Sequence, residues 1–160
     1  MNSLKIRQAN KNDAKVVAML WHKYDLYEHS IDSRVNVCSE DSYAIQFSEM
    51  LEYKSNIVVL AEYDSNVVGV IDYMAYRKGS LRIGTLGNLF VLSEYRGKGI
   101  GSALADHVMG QLQSRCCQHI LSGVRVNNDN AQKFWVKRGF KIDVESVTNY
   151  SMHMDLSKDN

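Results

Sequence analysis

Three glycines at alternate positions, Gly97, Gly99 and Gly101, separate an apolar segment from an amphipathic one. The segment that ends at Val91 has the residues of a buried strand, and the segment after the glycines repeats apolar residues at helical spacing. Glycine has no Cβ, so such a turn can adopt positive φ angles and let a ligand approach its backbone. The first amides of a helix lack intrahelical partners and lie at the positive end of its dipole, so the junction predicts a phosphate or pyrophosphate receptor.

Two common anion-binding loops do not fit these glycines. A nucleoside-triphosphate loop needs Gly-x-x-x-x-Gly-Lys-Ser/Thr, and no window of the sequence supplies it. A dinucleotide fingerprint needs Gly-x-Gly-x-x-Gly, but its third glycine would fall on Ser102 counted from Gly97 and on Leu104 counted from Gly99. These residues alone leave two interpretations open: an anion-binding turn of another class, or a tight glycine turn without a ligand.

Apolar periodicity divides the chain into helices and strands. Asn10 and Asp13 are typical start signals for the first helix, and a turn at 64–66 joins two strands as an antiparallel hairpin. The predicted elements are a strand at 4–8, helices from Asp13 and at about 40–53, strands at 57–63, 67–76 and about 80–91, a helix after the glycine turn, a strand at 119–124, a helix from 127–130 to 139, and strands at 140–144 and 147–156. The order βααβββαβαββ predicts one mixed α/β domain over residues 1–160 with a mostly antiparallel sheet.

Two motifs in this element order resemble those of the GNAT superfamily of N-acetyltransferases. The segment Arg96-Gly97-Lys98-Gly99-Ile100-Gly101 is similar to the Gln/Arg-x-x-Gly-x-Gly/Ala motif. A second motif, Asn-x-x-Ala-x-x-Phe-Tyr-x-x-x-Gly-Phe, is matched with one departure by Asn128, Ala131, Phe134, Trp135, Gly139 and Phe140. The resemblance implies an enzyme that transfers an acetyl group from acetyl-CoA, its co-substrate, to an amine, with no metal.

The resemblance also implies which residues bind the coenzyme. The amides of the glycine turn would bind the pyrophosphate, and the main chain of the preceding strand would pair with the pantetheine arm. The implied residues are Leu89, Phe90, Val91, Arg96, Gly97, Lys98, Gly99, Ile100, Gly101, Ser102, Asn128 and Phe134. Three of them have structural alternatives: Arg96 as a clamp on neighbouring carbonyls, Asn128 as a helix cap and Phe134 as a core residue.

The usual catalytic residues of such enzymes cannot be placed on this sequence. The tyrosine that often protonates the thiolate is Trp135, whose indole N–H is not a proton-transfer acid at neutral pH. The position that often holds a glutamate base is Gly87, followed by Asn88. The conceivable substitutes are Tyr150, Tyr73, Asp72 and Glu28. Since each of them suits a structural role at least as well, the sequence assigns no catalytic residue.

The acceptor side is expected in the segment between the first two strands. Residues 21–53 carry a formal charge of −5, and Trp21, Tyr24, Tyr27 and Tyr43 are interspersed. An acidic, aromatic-lined site favours a small cationic amine as acceptor. Solvated helix faces over core aromatics explain the same residues, so this prediction has a plain structural alternative.

Composition limits the remaining function classes. A net charge of +1 gives no basis for nucleic acid or an anionic membrane as partner. The three cysteines, Cys38, Cys116 and Cys117, have no zinc-ligand spacing and predict reduced thiols. Charged residues interrupt the N-terminal apolar residues, so we expect no signal peptide, no membrane span and a cytoplasmic protein.

Two other functions remain open at this point. One is a catalytically weak acyl-CoA-binding module with a regulatory role, because the usual tyrosine and glutamate are replaced. The other is a protein N-acetyltransferase, which needs an open groove for a peptide. The acceptor, the acyl-chain preference and the oligomeric state, a homodimer included, are not fixed by the sequence.

Overall fold

A computed structural model describes residues 3–54, 56–144 and 149–156, apart from the side chains of 144, 149 and 150. The chain forms two compact units, unit 1 with residues 1–73 and 88–109 and unit 2 with residues 74–87 and 110–160. The strands are β1 (Leu4–Gln8), β2 (Ile57–Tyr63), β3 (Asn66–Lys78), β4 (Leu81–Leu86), β5 (Phe90–Val91), β6 (His119–Arg125), β7 (Lys141–Val144) and β8 (Asn149–Asp155). The helices are α1 (Ala14–Ile31), α2 (Glu40–Tyr53), α3 (Ile100–Ser114) and α4 (Asp129–Val136).

The strands of unit 1 are antiparallel throughout. Strand β1 pairs with β2 from Leu4–Tyr63 to Gln8–Val59, and β2 pairs with the first part of β3. The β2–β3 turn is tight because Asp64 and Ser65 both have positive φ angles, of 49° and 67°. Short polar side chains tolerate this conformation better than most, which is why a turn without glycine closes the predicted hairpin.

Polar side chains cap the 3₁₀ turn before α1 and the start of α2. The side chain of Asn10 accepts a hydrogen bond in a capping box with Asp13, over a single 3₁₀ turn that leads directly into α1. Helix α2 begins after Ser39, whose side chain accepts from the amide of Ser42. Each cap satisfies an amide that the helix itself cannot pair. The predicted start signals and the predicted helix at 40–53 are therefore confirmed.

The core of unit 1 lies where α1 and α2 cover the strands. Its fully buried side chains include Leu20 of α1, Phe47 of α2 and Leu60 of β2. Trp21 belongs to the same cluster and meets Tyr43 and Phe47 edge to face, at centroid distances of 5.5 and 6.1 Å. These aromatic contacts hold the two helices in register, because edge-to-face pairs have a preferred geometry that aliphatic contacts lack.

The predicted strand at about 80–91 differs in the structure, where it is two strands, β4 and β5, separated by residues 87–89. Strand β5 pairs with β3 through Gly69–Val91 and Val70–Phe90. At the interruption the amide of Asn88 donates to a side-chain oxygen of Asp72, at 2.9 Å. In an uninterrupted strand such an amide would donate to a carbonyl of the neighbouring strand. The partner of this amide is a side chain 16 residues away, and the pattern of apolar residues alone carries no signal for such a contact.

Unit 2 contains β4, β6, β8 and β7 as neighbours in that order. Strands β4 and β6 are parallel over Ile83–His119 to Thr85–Leu121, whereas β6–β8 and β7–β8 are antiparallel. A Cβ on Gly84 would lie 2.7 Å from the side chain of Leu112, so glycine permits the close approach of α3 to β4.

The mixed α/β class with mostly antiparallel strands is confirmed, while a single domain over 1–160 stays a prediction. Among the described residues, no helix is long and apolar enough to cross a membrane.

Candidate functional site

The glycine turn lies in unit 1, immediately before α3. Gly97 and Gly99 have φ angles of +75° and +78°, a region that side chains rarely adopt. A Cβ built at either position meets nothing within 4 Å, so both face open space. The amide of Ala103 donates to the carbonyl of Gly99, and the preceding amides of the helix therefore lie before its first intrahelical bond. The turn thus has the glycine conformation and the helix-start amides that an anion receptor needs.

Arg96 fixes the turn to the strand before it. Its Nε donates to the carbonyl of Val91 at 2.9 Å. Its guanidinium carbon lies 4.6 Å from the centroid of the Tyr27 ring and 5.3 Å from that of Phe90. These contacts match the alternative of a clamp on neighbouring carbonyls. A direct contact of Arg96 with a phosphate stays a prediction.

Lys98 lies beside two tyrosines on the other side of the turn. Its Nζ is 5.1 Å from the ring centroid of Tyr63 and 5.2 Å from that of Tyr95, and the two rings meet edge to face. Cation–π attraction of this kind restrains an exposed ammonium group without neutralising it. Lys98 lies between Gly97 and Gly99 in the chain, so it contributes an exposed basic side chain to the glycine turn.

The segment before the turn presents its main chain more than its side chains. Phe90 and Val91 are buried and Leu89 is half-buried. Among the described strands, β5 has β3 as its only partner, so the opposite edge of β5 can accept an added extended chain. A 3₁₀ turn at Ser93–Tyr95 separates β5 from the glycine turn. Ile100 is the buried first residue of α3, and Ser102 lies half-buried in the first turn of the same helix.

A pocket of about 270 Å³ opens elsewhere in unit 1. Its lining comes from α1, α2, the residue before β2, β3 and the 87–89 interruption. The lining residues are Trp21, Tyr43, Gln46, Met50, Asn56, Asp72 and Asn88. Within the described part of the chain, this lining holds a single carboxylate, that of Asp72.

Asp72 is buried, with 7% of its surface exposed. One carboxylate oxygen accepts from the amide of Asn88 at 2.9 Å, and the other accepts from the side-chain amide of Asn56 at 3.3 Å. Burial raises the pKa of Asp72 above its ordinary value, and the hydrogen bonds oppose this only in part. The structure therefore places one of the four conceivable catalytic residues in the pocket.

Tyr43, which lines the pocket, forms a buried pair with Asp25, which is not among the lining residues. The hydroxyl of Tyr43 donates to Asp25 Oδ2 at 2.6 Å, and the amide of Cys38 donates to the same oxygen at 3.0 Å. Burial, followed by the bond to Asp25, raises the pKa of Tyr43. The hydroxyl is thus held as a donor to Asp25. Sequence reasoning did not find this pair, because its members are 18 residues apart in two helices.

Three of the seven acidic residues in the 21–53 segment are internal. Asp25, Glu28 and Asp32 are all buried. Asp32 receives two hydrogen bonds from the guanidinium of Arg34, at 2.8 and 2.9 Å. Charges with such partners hold helices and loops in place, and they attract a distant cation weakly. The predicted acidic surface is therefore smaller than the count of −5 suggests.

The second motif lies in unit 2. Asn128 is buried and its side-chain oxygen accepts from the amide of Ala131 at 3.1 Å, so it caps α4. Phe134 is half-buried and stacks against the guanidinium of Arg138 at 3.9 Å. Trp135 is buried between the rings of Phe134 and Phe140. Of the remaining conceivable catalytic residues, Tyr73 and Glu28 are buried away from the pocket lining, and the side chain of Tyr150 lies outside the described residues.

Comparison with known proteins places this architecture in a family. The acetyltransferase (GNAT) family matches residues 23–140. An acetyltransferase of Photorhabdus laumondii is 27% identical over 128 residues, which make up 79% of this chain and 78% of that protein. An uncharacterized N-acetyltransferase of Mycobacterium tuberculosis is 31% identical over 98 residues, 61% of this chain and 61% of that protein. The match thus spans less than two thirds of the mycobacterial relative.

Solved structures share the fold at low sequence identity. PaiA N-acetyltransferase from Thermoplasma acidophilum, in complex with coenzyme A, has a TM-score of 0.80 at 16% identity, covering 96% of this chain and 99% of that one. YncA from Salmonella typhimurium, with its cofactor acetyl-CoA, has a TM-score of 0.77 at 14% identity, covering 99% and 96%. With the family match over most of the chain, the protein belongs to the acetyltransferase (GNAT) family and is an N-acetyltransferase.

Proposed function

We propose that this protein transfers the acetyl group of acetyl-CoA to the primary amine of a small, cationic molecule. The observation that carries the proposal is the turn at Gly97 and Gly99, whose positive φ angles leave an open approach to the helix-start amides. A pyrophosphate is the ligand that such a cluster of amides favours, because each amide donates to an anionic oxygen and the helix dipole adds partial positive charge.

The coenzyme then has a defined course along unit 1. The amides of residues 97–101 bind the pyrophosphate, with the hydroxyl of Ser102 as a further donor, and the ammonium of Lys98 lies beside it. The pantetheine arm pairs with the free edge of Leu89, Phe90 and Val91. The coenzyme-bound structures from Thermoplasma and Salmonella support this assignment by their shared fold. Roles for Asn128 and Phe134 at the coenzyme stay predictions.

The pocket of unit 1 supports a small acceptor. Its volume of about 270 Å³ is small for a ligand site and suits a compact amine better than a peptide. Trp21 and Tyr43 supply aromatic surface and Asp72 supplies the carboxylate, which together favour a cation. This lining replaces the surface charge of residues 21–53 as the main reason to propose a cationic acceptor.

Acetyl transfer also needs a donor for the oxyanion of the tetrahedral intermediate. We assign this donor to a backbone amide of Leu89 or Phe90, at the end of the interrupted segment where the thioester would lie. Holding the amine and the thioester together supplies much of the remaining rate by proximity.

Free Cys38, Cys116 and Cys117 support a reducing, cytoplasmic setting. A homodimer stays a prediction.

The test is release of coenzyme A thiol from acetyl-CoA with a panel of amines. The panel pairs each small cationic amine with a neutral or anionic amine of similar size, and it adds a lysine-containing peptide. We expect turnover with small cationic amines and little with the peptide. Calorimetric binding of acetyl-CoA without turnover of any amine would favour the acyl-CoA-binding module instead, and preference for the peptide would favour a protein acetyltransferase.

A further inference from the structure

Asp72 is the residue of β3 that lines the pocket, and its side chain supplies the carboxylate. It lies in the middle of the strand, opposite Val58 of β2, and is almost wholly buried. The other lining residues within the described part of the chain, Trp21, Tyr43, Gln46, Met50, Asn56 and Asn88, are uncharged at neutral pH. A cation that enters this pocket therefore meets one negative partner.

The carboxylate of Asp72 is held in place but not saturated. Asn88 N–H, the side-chain amide of Asn56 and its own backbone amide are the donors that act on it. A carboxylate has about four lone-pair positions, so about one remains for a further donor. The two asparagines orient the group, and the remaining position can accept a hydrogen bond or a proton.

The surroundings of Asp72 favour its neutral form more than water does. Asn56 before β2 and Asn88 after β4 donate to it, and Tyr43 of α2 and Trp21 of α1 line the same pocket. None of these side chains carries a charge at neutral pH. Burial therefore raises the pKa of Asp72, with no cation among the described residues to offset it. An ammonium ion in the same pocket is destabilised by the same desolvation, so proton transfer from ammonium to carboxylate is easier there than in water.

Trp21 forms the aromatic part of the pocket lining together with Tyr43. Its indole N–H is buried and has no hydrogen-bond partner in the structure. A buried donor without an acceptor lowers the stability of a folded protein. Trp21 contributes aromatic surface to the pocket, and contacts with Tyr43 and Phe47 hold its ring in place.

We infer that Asp72 is the general base of the reaction: it binds the ammonium form of the acceptor and takes its proton. This inference rests on the proposed function. The proton passes from the ammonium nitrogen to a carboxylate oxygen of Asp72, which frees the nitrogen lone pair. The lone pair forms the N–C bond to the thioester carbonyl carbon, and the carbonyl electron pair moves to the oxygen.

Collapse of the intermediate completes the balance. The oxygen electron pair re-forms the carbonyl, the C–S bond breaks, and its electron pair leaves with sulfur as a thiolate. The nitrogen still holds one proton too many, which passes to water, and the thiolate takes the proton that Asp72 received. The products are the amide and coenzyme A thiol, with Asp72 again a carboxylate. Tyr43 is not required as an acid, because its proton is committed to Asp25.

The experiment measures the pH dependence of kcat/KM for the amine, by thiol release at saturating acetyl-CoA, in the wild type and in Asp72→Asn. The wild-type profile should be bell-shaped, because activity falls at low pH as Asp72 is protonated and at high pH as the free ammonium loses its proton. Asp72→Asn can use only amine that is already neutral. Its kcat/KM should be about 10²–10⁴-fold lower near neutral pH and should rise with pH up to the pKa of the amine.

A matched control and a second measurement on the wild type make the test decisive. Asp13→Asn removes another buried carboxylate of unit 1, outside the pocket, and should keep the bell-shaped profile. In the wild type, amines of different pKa should share one low-pH limb, which belongs to Asp72, while the high-pH limb moves with the amine. This second measurement needs no variant and holds even if Asp72→Asn does not fold.

Each outcome supports or overturns the assignment. Asp72→Asn that folds by circular dichroism, binds acetyl-CoA normally and keeps the wild-type profile would overturn it. A low-pH limb that moves with the pKa of the amine would also overturn it. If the wild type releases no thiol with any amine, the proposed function fails together with this inference. Wild-type turnover with an unchanged Asp72→Asn overturns the base assignment alone.

Discussion

The glycine turn and the pocket, both in unit 1, are built in opposite ways. The turn is one contiguous segment, residues 96–102, and its properties come from the backbone: positive φ angles, unpaired amides and a helix start. The pocket takes its lining from residues between 21 and 88, and its properties come from side chains. Local sequence determines a backbone site, whereas the tertiary fold determines a side-chain site.

This difference suggests how the two sites divide the reaction. A backbone site recognises a feature that all its ligands share, here the pyrophosphate, and it tolerates changes in the side chains around it. A side-chain site can change its specificity by single substitutions, because one carboxylate or one aromatic ring decides which acceptor fits. We therefore expect substitutions in the turn to affect acetyl-CoA and substitutions in the pocket to affect the amine.

The largest effect on the coenzyme should come from Gly99→Val. Valine is strained at φ +78° and places its side chain in the open space before the amides. Losing one or two charge-assisted hydrogen bonds, each about 1.5–3 kcal/mol, should weaken acetyl-CoA binding about 100-fold by calorimetry. Gly79→Val is the matched control, since Gly79 also has a positive φ, +63°, and faces open space in the β3–β4 turn. Equal loss of acetyl-CoA affinity in both variants would show that strain alone, not the site, is responsible.

The same difference explains what the sequence could predict. The turn, the helix starts near Asp13 and Glu40 and the element order follow from neighbouring residues. The structure agrees with them except at the predicted strand 80–91, which is divided into β4 and β5. At the break in the strand at 87–89 Asn88 is bonded to Asp72, and buried Asp25 is bonded to Tyr43. Both are contacts between distant segments, for which one sequence without relatives carries no signal. The sequence could name Asp72 as conceivable, but only its burial and neighbours distinguish it from the other three.

A smaller effect, now on stability, should follow from Tyr43→Phe. The change removes the hydroxyl that donates to buried Asp25. We expect the free energy of unfolding to fall by about 1.5–3 kcal/mol in denaturant titrations at neutral pH. Because the folded-state pKa of Tyr43 is raised, this contribution is complete below about pH 10, the ordinary tyrosine value, and declines as the pH rises further. Affinity for acetyl-CoA should not change, and a large loss there would mean that the two sites are not separate.

Trp135 stands where members of the family often have a tyrosine. The substitution Trp135→Phe tests whether this residue has a structural role only. The indole is buried between Phe134 and Phe140, and a phenyl ring would fill most of its space. We expect a loss of about 1–2 kcal/mol in stability and a change in turnover of less than about tenfold. A loss of turnover beyond about 100-fold, the range of a missing general acid, would contradict a purely structural Trp135.

The smallest effect should come from the exposed acidic residues of α2, and it separates surface charge from pocket charge. Glu40 and Asp41 lie in the first turn of α2 and are exposed, whereas Asp72 lies in the pocket. Exposed charges are screened over about 8 Å at physiological salt, so they attract a cationic acceptor only weakly. The double variant Glu40→Gln/Asp41→Asn should therefore change the KM for the amine by less than about twofold, measured at physiological and at tenfold lower salt. A several-fold rise in KM that disappears at high salt would mean that the 21–53 surface steers the acceptor. The other outcome is that the KM of the double variant stays constant at both salt concentrations while Asp72→Asn loses activity. The preference for a cation then comes from the pocket. A single desolvated carboxylate there is unscreened, so it acts on the acceptor more strongly than several solvated carboxylates.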